Sequence, residues 1–136
     1  MANDIDTEPE AIRLTVYQND DSDLEWFPFG EALADIPEDF ADYDYILDVW
    51  QGKWTESTPL LLTSNPAVDP HLITVSRNDA TGMITFRFPR EVMLAFNIVD
   101  DMRYDVREIE PGVEGQELTI FAGVFRVTVR GTITGT

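Results

Sequence analysis

YDVREIEPGVEGQELTIFAGVFRVTV, from Tyr104 to Val129, is the stretch on which the fold turns. In its first run Tyr104, Val106 and Glu108 alternate with Asp105, Arg107 and Ile109. Side chains of a strand point to opposite faces in turn, so such a run has a defined register only where one face is buried. Pro111, Gly112 and Gly115 supply the turn that follows. Gly123 reads as a tight turn or bulge; beyond it Phe125, Val127 and Val129 are expected to face inward, and Arg126, Thr128 and Arg130 outward. The stretch thus predicts a closing hairpin followed by a last strand.

The same period recurs upstream. Ile12, Leu14 and Val16 share one face against Arg13, Thr15 and Tyr17 on the other, a half-buried strand. NDDSD (19–23) is rich in turn residues, and LEWFPF (24–29) reads as a second strand. Pro28 there cannot donate to a ladder and disfavours a central position. GEALADIPEDFADYD (30–44) is acidic and broken by Pro37, and reads as a loop with one helical turn. In YDYILDVWQ (43–51), Tyr43, Tyr45, Leu47 and Val49 oppose Asp44, Ile46, Asp48 and Trp50. A turn at Gln51 and Gly52 leads to Trp54. PLLLTS (59–64), LITVSR (72–77) and GMITFRF (82–88) follow, the last two joined by a turn at Asn78–Gly82. Ile84, Phe86 and Phe88 fall on one face. PREVMLAFNI (89–98) breaks the rhythm: Pro89 suits a first helical position, and Val92, Met93 and Phe96 lie at helical spacing.

The fold expected is all-β: an antiparallel β-sandwich, immunoglobulin-like or related, of eight to nine strands with one short connecting helix. Residues 1–10 read as a flexible acidic N-terminal arm and residues 11–136 as a single domain. A chain of 136 residues buries roughly two-thirds of the surface its unfolded form exposes.

Composition narrows the functions. Twenty-six Asp and Glu face nine Lys and Arg, for a net charge of -17. That field repels phosphate backbones, so direct nucleic-acid binding is not expected; a solvated acidic surface is favoured over a mimic of DNA. There is no long apolar run and no basic segment ahead of one, so neither an export signal nor a membrane anchor is expected. With no cysteine there is no thiolate nucleophile and no cysteine-ligated metal. The lone histidine, His71, stands beside Pro70 where a strand begins, and is read as a surface residue rather than as a base or zinc ligand. NDDSD and Asp100–Asp101 suggest calcium, but the first lacks the central glycine and closing glutamate of a calcium loop, and turn formation explains both. Carboxylates are too abundant for a glycosidase pair to be singled out. No catalytic residue, cofactor or metal is therefore assigned. Trp26, Trp50 and Trp54 suit either a core or subunit interface, or a sugar-stacking platform. Tyr17, Trp50 and Trp54, on expected outer positions, are the candidate protein–protein anchors.

The order of segments resembles a small β-sandwich module found among structural proteins of phages and prophages. A strand, a polar turn and an aromatic strand are matched by IRLTVYQNDDSDLEWFPF (12–29). A Pro/Asp-flanked loop and long strand are matched by DIPEDFADYDYILDVWQGKW (35–54), and a hairpin ending in a helical turn by DATGMITFRFPREVMLAFNI (79–98). The closing pattern is matched by RYDVREIEPGVEGQELTIFAGVFRVTV (103–129). Members usually carry a glycine just before the Tyr-Asp strand, where this chain has DDMRYD (100–105). The resemblance implies a non-enzymatic virion component of a tail, baseplate, fibre or neck, assembled in the host cytoplasm. Its partners would be identical copies and other virion proteins. The alternatives are a carbohydrate-binding sandwich and, third, an acidic inhibitor that mimics DNA.

Overall fold

A computed structural model describes residues 10–11, 13–18, 20–53, 55, 57–112 and 117–128. Among these residues lie nine strands: β1 (Glu10–Ala11), β2 (Leu14–Tyr17), β3 (Ser22–Trp26), β4 (Asp44–Gln51), β5 (Leu60–Thr63), β6 (Thr74–Asn78), β7 (Met83–Phe88), β8 (Met102–Ile109) and β9 (Glu117–Thr128). One helix, α1 (Arg90–Ala95), joins β7 to β8. A six-stranded sheet runs β1-β9-β8-β4-β5 with β2 also on β9; a three-stranded sheet runs β3-β7-β6. The expected all-β sandwich is the observed fold.

Alternation explains the core. Leu47, Val49 and Val106 of the large sheet and Ile84 and Phe86 of the small one are fully buried in one cluster. Rings interlock across the gap: Trp26 meets Tyr45 and Phe121 edge-on at 5.1 Å each, and Phe88 lies 5.6 Å from Phe125. Each such side chain gains about 1.5–3 kcal/mol from leaving water. Phe125 and Val127 point inward as their spacing predicts.

Three expectations about strands need correction. Gly123 makes neither turn nor bulge, because β9 is one strand that passes through it. Gly123 stands directly opposite the buried Tyr104 in the β8–β9 ladder. The irregularity falls three residues earlier: Val106 pairs with Phe121 but Arg107 with Thr119, which bulges Ile120 out of the β8–β9 ladder. The sandwich is not wholly antiparallel either, since β1 and β2 both run parallel to β9. First and last strands are not joined by a hairpin, so no short connection forces them antiparallel. Pro89, finally, caps α1 rather than opening it; its carbonyl accepts from the amides of Val92 and Met93 at 3.1 and 3.0 Å.

Several turns behave as read. Asn78 pairs with Met83 to close the β6–β7 hairpin, and its side chain accepts from the Ala80 amide at 3.1 Å. Gly82 has φ +79, so the turn favours glycine; a Cβ there would also meet the end of the Ile36 side chain at 2.9 Å. Just before β8, Asp101 adopts φ 57, a region Asp tolerates better than most residues. Its carbonyl accepts from the Gly52 amide at 2.8 Å.

The acidic loop before β4 contains two 3-10 turns, Leu33–Asp35 and Phe40–Asp42, where one helical turn was expected. Phe40 is buried and packs edge-on against Phe29. Arg77 of β6 clamps the loop. Its guanidinium donates to the Phe40 and Tyr43 carbonyls at 2.6 Å each and lies 4.9 Å from the Phe40 ring centre.

Candidate functional site

The side chains that carry charge into the structure gather on the outer face of the large sheet. Antiparallel pairing sets Asp48 of β4 directly opposite Asp105 of β8. Like charges so placed are destabilising unless a cation intervenes. Arg107, diagonal to Asp48, intervenes: it donates to the Asp48 carboxylate at 2.5 Å and also to Glu117 of β9. Thr63 of β5 donates to the other Asp48 oxygen at 2.5 Å and accepts from the Asn65 amide at 3.0 Å. Asp48 is therefore buried yet fully engaged.

Asp105 is placed differently. Its Oδ1 is enclosed and, among the described residues, finds no hydrogen-bond partner. Burial, opposed by Arg107 but reinforced by Asp48 and Glu117, pushes its carboxyl up to about 6. The pair thus joins one carboxylate held by donors to one that takes up a proton readily. With Trp50, Leu60, Asn65 and Thr119 they line a cleft of about 420 Å³.

Two of the candidate anchors, Tyr17 and Trp50, do not converge. Trp50 lies on the outer face, as expected, but is only 9% exposed and forms a wall of this cleft rather than a free surface. Sequence alternation places it correctly but does not show its burial in the cleft that it lines with Leu60, Asn65 and Thr119. Tyr17 is half-buried on the same face, three strands away. The register separates the two by roughly 14 Å across the sheet and about 13 Å along it. Trp54 lies outside the described residues, as do Ile12, Gly115, Val129, Arg130 and residues 1–9 of the arm.

Other surfaces carry other chemistry. An apolar groove of about 550 Å³ runs between β5 and α1, lined by Leu60, Leu61, Leu62, Leu72, Val92 and Phe96. Among the described residues β5 pairs with β4 alone as a strand neighbour, and Leu72, Leu94 and Ile98 are exposed nearby in the chain. From Leu14 to Gly52 the sequence holds no lysine or arginine. Glu31, Asp35, Glu38, Asp39, Asp42 and Asp44 in that span are all exposed. His71 is exposed, with Nδ1 3.2 Å from the Val68 carbonyl. Among the described residues no cluster of three or more His, Asp or Glu is placed to hold a metal, and no helix is long and apolar enough to cross a membrane.

No protein-family model matches the chain, and no curated protein matches it significantly.

The sequence reading missed the Asp48–Asp105–Arg107–Glu117 network. A signal existed in the charged residues Asp48, Asp105 and Arg107 within otherwise apolar or aromatic alternation. Only the β4–β8 register shows that they meet.

Proposed function

We propose that this protein is a non-enzymatic structural module of a phage particle, docked in multiple copies on a tail, baseplate, fibre or neck. The observation that best supports docking is the apolar groove between β5 and α1, with Leu72, Leu94 and Ile98 exposed beside it in the sequence. Apolar side chains gathered at a groove suit burial against a protein neighbour. Assignment to a phage particle rests on the order of segments from Ile12 to Val129.

The sugar-binding alternative is less well supported. Trp26 is committed to ring contacts with Tyr45 and Phe121, and Trp50 is buried. A stacking platform needs exposed ring faces. Mass spectrometry of purified particles tests the proposal: the protein is expected in amounts equivalent to several copies per particle. Its complete absence would end this reading.

A further inference from the structure

Three of the exposed cations of this acidic chain, Arg13, Arg103 and Arg126, lie close together. On the outer face of the large sheet, Arg126 of β9 lies beside Val124, which is 41% exposed and stands opposite Arg103 of β8. Thr15 of β2 pairs with Arg126, and Arg13, one residue ahead of the Leu14–Phe125 pair, is exposed at the same edge. Arg103 is tied to Asp101 at 2.8 Å, whereas Arg13 and Arg126 make no ion pair among the described residues. The result is a cationic island centred on an exposed valine, on a chain whose net charge is -17.

The acidic loop is its complement in sign. Asp39, Asp42 and Asp44 are exposed and make no ion pair among the described residues. The loop that holds them is fixed from within by the Arg77 clamp and by buried Phe40. A loop ordered beforehand loses little conformational freedom on binding, which favours a specific contact.

We infer that the Arg13–Val124–Arg126 face of one copy receives the acidic loop around Asp39 and Asp42 of the next. The inference rests on the multi-copy reading above and names its contact. Two different surfaces meet, so the contact is head-to-tail and propagates into a ring or an open array. Copies repel at long range through their net charge, and salt screens that repulsion; ion pairs partly dehydrated on contact are screened less. Moderate salt is therefore expected to promote association.

A charge swap analysed by sedimentation velocity tests the contact. Arg126→Glu alone and the double variant Asp39→Lys/Asp42→Lys alone should each self-associate about tenfold or more weakly than wild type. An equimolar mixture of the two should recover assembly, because each reversed surface then meets an opposite one. Circular dichroism checks the folds, and Arg13→Glu replaces Arg126→Glu should the latter unfold. Variants that associate as wild type does, or a mixture no better than its components, would overturn the contact while leaving the structural reading to the particle measurement. A wild-type chain that stays monomeric at every concentration and salt would overturn the contact as well.

Discussion

The two faces of β4 are almost equally buried but are built from different materials. Inward, Tyr45, Leu47 and Val49 meet the second sheet through apolar contact. Outward, Ile46, Asp48 and Trp50 are buried as well, Asp48 within a charged network shared with β8, β9 and β5. The inner face is stabilised mainly by loss of water, with one polar contact, from the Tyr45 hydroxyl to the Glu108 carboxylate at 2.7 Å. The outer face is stabilised by matching donors to charges, where a wrongly paired group costs more than an unmade apolar contact. One face specifies the fold, and the other leaves ionisable chemistry just beneath the surface.

Substitutions should separate these roles. Leu47→Ala opens a cavity in the fully buried cluster and should lower unfolding free energy by about 2–5 kcal/mol in urea denaturation. Trp50→Ala on the other face removes a similarly buried ring and should cost about 3 kcal/mol, a loss too large for a free surface anchor. A cost for Trp50→Ala within experimental error of zero would show that the outer face is not closed.

A smaller effect of opposite sign is expected at Asp105. Its folded carboxyl is raised to about 6 from an ordinary value of 3.8, so the folded chain holds that proton more tightly than the unfolded one. The stability this contributes is complete below about pH 4 and is lost as pH rises through about 6. Asp105→Asn, permanently neutral, should therefore be more stable than wild type at pH 7 by about 1 kcal/mol, after discounting for partial solvent screening. The difference should vanish near pH 3.5. Equal or lower stability of the variant at pH 7 would break the assignment of Asp105 as the ill-satisfied member of the network.

Legibility in the sequence follows the same division. The inner face was readable because burial imposes period two: Ile84, Phe86, Phe88, Phe125 and Val127 all lie where their spacing puts them. The Asn78–Gly82 turn and the helix around Met93 were readable because local backbone chemistry dictates them. What long-range pairing decides was not. The parallel seat of β2 on β9 and the continuity of β9 through Gly123 depend on neighbours far away in the chain. Trp50 is buried in a cleft lined by residues far from it in the chain, and Asp48 meets Arg107 only through the β4–β8 register. Tyr17 and Trp50 thus lie on the face where alternation puts them, but alternation alone does not show that Trp50 is buried there.

The central claim is that the inner face builds the module while exposed surfaces place it. Val124→Glu tests this most directly, since Val124 is exposed on the cationic island and contributes nothing to the core. Particles assembled with the variant should be compared with wild-type particles by quantitative mass spectrometry. The account predicts a folded, soluble variant whose copies per particle fall about tenfold. Incorporation of the variant at the wild-type level would contradict it.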